Sequence, residues 1–218
     1  MTGLLRKAIL LACGLVFAAS SAMAAVPSPA DSEVPCGFNL VGTTAGVADP
    51  KGEFTVIVRD LAQNPIAGSS VVISFDGCTP DIRICSVQPV SGVTADCLSG
   101  PVGEISAVTD GAGTVTIRIV GGANNVASGT PAAGFKCATI YADGVNLGTM
   151  NIGAYDENGA GGVNPADISV WLPDNFDIDF EGRSDFNCSG TVNPADLSLL
   201  ISAVLGGGST ASCGSYCN

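Results

Sequence analysis

From Glu53 to Asp60 the chain reads EFTVIVRD, with polar and apolar residues trading places at most steps. The same period of two returns in SVVISF (Ser70–Phe75) and TVTIRIV (Thr114–Val120). Successive side chains of an extended backbone point to opposite faces, so each run predicts a strand with one face on a core. Asn64-Pro65 and Gly68 mark a turn between the first two runs, and Asp110-Gly111 and Gly113 mark one before the third. Cys137–Ala142 and Val145–Ile152 flank Asp143-Gly144, a dipeptide whose tolerance of positive φ favours a tight hairpin. No helical period of useful length interrupts residues 36–152. Short strands with Gly and Pro turns predict one antiparallel β-sandwich there, in a chain that is mainly β.

Beyond Ile152 alternation gives way to repetition. Residues 156–172 run DENGAGGVNPADISVWL and residues 185–201 run DFNCSGTVNPADLSLLI, two copies offset by 29 residues. A repeat of this kind points to a duplicated supersecondary unit. In the second copy Asp185, Asn187, Ser189, Thr191, Asn193 and Asp196 hold places one, three, five, seven, nine and twelve of a loop. Gly190 is sixth, where the chain must turn sharply. Oxygen donors on alternating residues, closed by a carboxylate six residues after the glycine, form the spacing of a calcium loop. The first copy offers Asp156, Asn158, Asn164 and Asp167, with Gly161 at the turn. Its fifth place is Ala160, which has no side-chain oxygen, so of two expected Ca2+ sites the second is the stronger. The apolar run after each loop predicts a short helix. Ile168, Leu172, Leu197, Leu200 and Val204 are the expected core, with Val163 pairing with Val192 between the loops. Trp171 matches Leu200 in the other copy, which favours packing between the helices over a sugar platform.

An Asp-closed loop followed by one short helix, duplicated within about fifty residues, resembles a type I dockerin, and DFNCSGTVNPADLSLL carries the likeness. The resemblance covers residues 154–206. It implies a small α-helical module of two EF-hand-like loop–helix units related by a pseudo-twofold, two calcium ions, and docking onto a cohesin module. In that family the partner is touched by the two residues before each closing Asp. Those are Pro165-Ala166 and Pro194-Ala195 here, where the best-known members carry hydroxyl pairs. Residues 36–152 resemble the bacterial Ig-like domains of invasin type, on FTVIVRDLAQNPIAGSSVVISF and AVTDGAGTVTIRIV. Such domains serve as spacers, adhesive stalks and polysaccharide-facing modules. The cysteine-bearing insertion from Gly77 to Val102 departs from that pattern and reads as a stapled surface excursion or as a binding loop.

Arg6-Lys7, the apolar Ala8–Ala19 and the small-x-small Ala22-Met23-Ala24 predict an export signal over residues 1–24. Residues 25–35, rich in Pro, Ser and Ala, read as a flexible lead-in. No later stretch is apolar for long enough to span a bilayer, so the mature chain is expected outside the cell or on its surface. Nine cysteines less Cys13 leave eight, an even number that in an exported chain reads as disulfides. Five of them (Cys36, Cys78, Cys85, Cys97, Cys137) precede the repeat; Cys188 lies in it, and Cys213 and Cys217 lie in a tail of residues 207–218. Both groups are odd in number, so full pairing requires a bond between the regions or to another chain. Cys188 is expected with Cys213 or Cys217, and Cys78, Cys85 and Cys97 are expected to staple one loop. The absence of any CxxC disfavours a zinc ribbon or thioredoxin-like redox chemistry.

A net charge of −12 leaves nothing to neutralise phosphates, so nucleic acid is not an expected partner. Nine acids lie between Asp156 and Asp196, opposed only by Arg183, and divalent cations would relieve their repulsion. With no histidine in the chain, Ser-His-Asp and Cys-His nucleophile systems and His-ligated metals are excluded. A carboxylate pair for glycoside hydrolysis would need acids other than those already assigned to calcium, and no enzyme is expected. Three readings from different classes follow. The first is a secreted calcium-binding protein that docks to a cohesin-like or other surface protein and presents an Ig-like domain. The second is a subunit that self-associates into a surface layer or fibre. The third is an accessory polysaccharide-binding protein.

Overall fold

The computed structural model describes residues 25–124, 135–176, 182–206 and 213–217. The expected export signal, residues 1–24, and residues 207–212 lie outside them. The alternating runs form strands where the pattern places them: β1 (Gly37–Leu40), β2 (Thr43–Thr44), β3 (Val47–Ala48), β4 (Phe54–Ile57) and β5 (Ser70–Ser74) open the chain. β6 (Ile82–Ile84) and β7 (Thr94–Asp96) lie in the insertion, followed by β8 (Glu104–Val108), β9 (Thr114–Ile117), β10 (Gly121–Ala123), β11 (Ala138–Ala142) and β12 (Val145–Ala154). Six of them build one sheet in the order β1-β12-β11-β5-β8-β7. Its pairings are antiparallel except that of β1 with β12, which is parallel. The antiparallel ribbon of β4 and β9 shares a buried core with that sheet. Val56, Val71, Ile73, Ile105 and Ile140 in that core are fully buried. Phe38 of β1 stacks on Phe54 of β4 with ring centroids 4.2 Å apart, which joins the sheet to the ribbon. The protein is mainly β, as its period-two runs predict.

Three features depart from the sequence reading. Residues 25–35 are not a free lead-in: Ser28 and Glu33 donate their backbone N–H to Arg59 and Ile57, both at 2.8 Å, and lie along β4 and the residues after it. The insertion is built into the sheets, since β7 is an edge strand beside β8 and β6 pairs with β10. The disulfides run Cys78–Cys137, Cys85–Cys213 and Cys97–Cys217. The cysteines of the insertion therefore reach outward rather than stapling one another, and Cys188 takes neither tail cysteine. Groups of five and three pair fully only through an odd number of bonds between them or with another chain; two such bonds form, which leaves Cys36 and Cys188 over. Bonds of this kind form and persist in oxidising surroundings.

Two helices follow the sheet: α1 (Pro165–Asp174) and α2 (Pro194–Leu205). Each opens with Asn then Pro at its first helical position, where a missing N–H costs nothing, and each begins with a capping box. Asn164 accepts from the N–H of Ala166 at 2.9 Å while Asp167 accepts from that of Asn164 at 2.7 Å. Asn193 and Asp196 repeat this at 2.9 and 3.0 Å. A second core forms beneath the helices: Trp171, Leu200 and Ala203 pack with Tyr155, Val163 and Phe186. Trp171 is 1% exposed and donates its indole N–H to the Ser184 carbonyl, so it packs between the helices as expected. Leu200 and Val163 are buried, and Ile168, Leu197, Val192 and Val204 pack partly. Leu172 is 43% exposed and does not belong to the core, because it turns away from Trp171 on its own helix.

The helical unit sits against the far side of β12. The first half of that strand is only partly covered, with Asn146 and Thr149 exposed, and then Met150 to Ala154 are all buried. A strand loses its alternation when both faces are covered. The covering element is the 3-10 turn at Gly182–Ser184, which leads into the second loop. Gly153 is glycine because a side chain there would meet Asn39, whose amide passes over to donate to the Phe186 carbonyl at 3.2 Å. Among the described residues no helix is long and apolar enough to cross a membrane.

Candidate metal centre

Both predicted loops close on their first-place carboxylate, and the sixth-place N–H is the donor common to the two. In the second, the first-place Asp185 accepts from the N–H of Ser189 at 2.9 Å and of Gly190 at 2.8 Å. In the first, Asp156 accepts from Gly161 at 2.9 Å and Gly162 at 3.2 Å. Each glycine at the sixth place takes positive φ, +79° at Gly190 and +91° at Gly161, which turns the chain back over the first-place carboxylate. The twelfth-place carboxylates span their loops alike. Asp196 accepts from Asn187 at 3.0 Å, and Asp167 accepts from Asn158 at 3.1 Å. Asn187 and Asn158 fold inward, accepting from the residue two places on, Ser189 at 2.9 Å and Ala160 at 2.7 Å.

All four carboxylates are buried: Asp156 at 5%, Asp167 at 0%, Asp185 at 1% and Asp196 at 0% exposure. Among the described residues none of them joins an ion pair. Burial raises the pKa of Asp156 and Asp196 above the ordinary carboxylate value. Asp167 is pushed up to about 6 by burial, with the neighbouring negative charge of Asp156 adding to the rise. Asp156 Oδ1 has no hydrogen-bond partner among the described residues although it is buried. A desolvated carboxylate oxygen without a donor is costly, and a hard cation would satisfy it.

The remaining oxygens are less uniformly placed. Ser189 and Thr191 stand together at 3.1 Å between hydroxyls, with Ser189 also 3.5 Å from Asp185. Asn193 and Asn164 do not turn their amide oxygens into the loops. Those oxygens cap the helices, while the amide groups donate to the seventh-place carbonyls, Thr191 at 3.1 Å and Gly162 at 2.8 Å. Among the described residues no three His, Cys, Asp or Glu side chains are grouped to hold a metal. Each loop supplies two carboxylates, and its other donors are amide, hydroxyl and carbonyl oxygens. Pro165, Ala166, Pro194 and Ala195, the expected partner-facing residues, are exposed on the first turns of α1 and α2.

Two groups beside the loops were not foreseen. Arg83 of β6 donates to the Gly159 carbonyl of the first loop, and its guanidinium lies 3.8 Å over the ring of Tyr216. Tyr216 stands between the tail cysteines that Cys85 and Cys97 capture, so the disulfides hold this cation beside Asp156. Its positive charge opposes the rise in the Asp156 pKa. The second group is a buried ion cluster. Arg183 reaches Asp81 at 3.0 Å, Glu157 at 3.1 Å and Asp174 at 3.0 Å, all with side chains no more than 1% exposed. Ser184 Oγ lies 2.8 Å from Glu157 and 2.6 Å from Asp174, and one hydroxyl proton cannot serve both. Burial pushes the Glu157 carboxyl up to about 8, against the opposing pull of Arg183. Arg183 was visible as the lone cation among nine acids; its partner Asp81, 102 residues away, was not.

Comparison of the chain with known protein families, with curated proteins and with solved structures returned no match.

Proposed function

We propose that this is an exported, non-catalytic calcium-binding protein. Its two loop–helix units each take one Ca2+ and together dock onto a surface or scaffold partner of cohesin-like character, presenting an Ig-like sandwich. One observation carries the reading: two loops 29 residues apart fold the same pair of carboxylates inward and bury them, and among the described residues no cationic side chain forms an ion pair with them. Asp185, Asn187, Ser189, Thr191 and Asp196 would hold the ion in the second loop. Asp156, Asn158 and Asp167 would do so in the first, with water in place of a side chain at Ala160. Asn193 and Asn164 serve chiefly as helix caps and would reach an ion through water. Calcium then neutralises charge that burial has made costly, and it is expected to add stability in proportion to its binding.

Docking is supported by the outward helix surfaces. Beside the exposed Pro-Ala pairs, Phe176 is 80% and Leu205 79% exposed, apolar area that a partner would cover. Isothermal titration of the mature chain with CaCl2 tests the calcium reading. Two sites are expected, and Asp185→Ala and Asp196→Ala should each remove the tighter one. Unchanged uptake in both variants would overturn the ligand assignment. A chelator-sensitive pull-down from the producing cell's envelope tests the docking.

A further inference from the structure

Three disulfides use six cysteines, and among the described residues two remain reduced, Cys36 and Cys188. They are 152 residues apart in sequence, yet the fold brings their segments to one anchor, Asn151, and their thiols interact. The backbone around them is fixed from one point. Asn151 of β12 donates its N–H to the Cys36 carbonyl at 2.8 Å and its amide to the carbonyls of Gly182 and Asp185 at 2.9 and 3.1 Å. One residue thus sets both the start of β1 and the start of the second loop. Cys188, the fourth residue of that loop, is held at φ +59°, a conformation that a non-glycine residue adopts only under constraint.

We propose that Cys36 and Cys188 form a fourth disulfide in the exported protein, which ties the second loop covalently to the first strand of the sheet. The oxidant is a disulfide donor of the exporting compartment. The exposed Cys36 attacks one donor sulfur as a thiolate, the donor S–S bond breaks, and one donor thiol leaves. Cys188 then attacks the Cys36 sulfur of the mixed disulfide and releases the second donor thiol. Two protons and two electrons pass from the cysteine pair to the donor, which ends as two thiols. The chain then has every cysteine after the leader paired, with the tail held by Cys85–Cys213 and Cys97–Cys217 and the second loop by Cys36–Cys188.

The bond does not depend on the calcium reading, and its test is separate. The mature chain, equilibrated with oxidised and reduced glutathione, is denatured without reductant and alkylated, then mapped by mass spectrometry. No alkylated cysteine and a peptide joining Cys36 to Cys188 are expected. Alkylation of both residues, or linkage of either to another cysteine, would overturn the proposal. Cys36→Ser should expose one thiol, at Cys188, and Cys188→Ser one at Cys36; scrambled pairing in either variant would count against it. The double variant Cys36→Ser/Cys188→Ser, which retains the other three bonds, is expected to melt roughly 5–10 °C below the oxidised protein. A melting point equal to that of the oxidised wild type would refute the fastening role. Loss of calcium uptake with the bond mapped as expected would sink only the metal assignment.

Discussion

Removing Arg183 tests whether a buried charge joins the two halves of the chain. In Arg183→Met the apolar side chain fills most of the volume but leaves Asp81, Glu157 and Asp174 without the cation that each contacts at 3.0–3.1 Å. Burial raises the Glu157 pKa to about 8, so at pH 7 its carboxyl adds the least to the charge left behind. The two aspartates must then stay ionised in the interior or take up protons. Protonating an aspartate of ordinary pKa, about 3.9, costs about 4 kcal/mol at pH 7 and about 1.5 kcal/mol at pH 5. Two such groups set a ceiling of about 8 kcal/mol at pH 7, and relaxation with entry of water brings broken buried pairs down to about 3–5 kcal/mol. Guanidinium unfolding of both oxidised proteins in saturating calcium, at pH 7 and pH 5, is the assay. The expected gap is about 3–5 kcal/mol at pH 7 and about half that at pH 5, because neutralisation becomes cheaper as pH falls. A gap under about 1 kcal/mol, or one that does not narrow at pH 5, would refute the reasoning.

Three further outcomes follow from the same geometry. Asp167, with its pKa near 6 in the unliganded loop, should make calcium affinity at the first loop fall as pH drops through about 6, since a protonated carboxyl cannot ligate; titration calorimetry from pH 7.5 to 5 reads this, and a flat profile would count against it. Arg83→Gln keeps a donor for the Gly159 carbonyl but removes the charge beside Asp156, so first-loop calcium affinity should rise several-fold; a fall would show that Arg83 organises the loop rather than competing for it. Leu200→Ala empties a position with no exposure at the centre of the helical core and should cost about 2–5 kcal/mol in chemical denaturation, with a loss under 1 kcal/mol indicating a slack core.

The strand runs, the hairpin at Asp143-Gly144, the duplicated loops and the burial of Trp171 were all legible along the chain. Each depends on residues within about a dozen positions of one another, where periodicity, positive φ and capping act directly. The pairing of β1 with β12, the disulfide partners, the placing of Arg83 and the Arg183 cluster were not legible. Cys188 shows the difference. Its position inside a loop was evident, but proximity in sequence suggested the tail cysteines, whereas the fold brings it to Cys36. Leu172 shows it from the other side, because an apolar residue in a helical run reads as core until the direction of the neighbouring helix is known. The sequence by itself determined which segments extend, turn and coil, and which oxygens each loop carries. Which distant segments cover one another was decided only in three dimensions, because contacts between β12, the 3-10 turn before the second loop and the tail arise from burying a shared apolar surface, and that surface exists only once the sheet has formed.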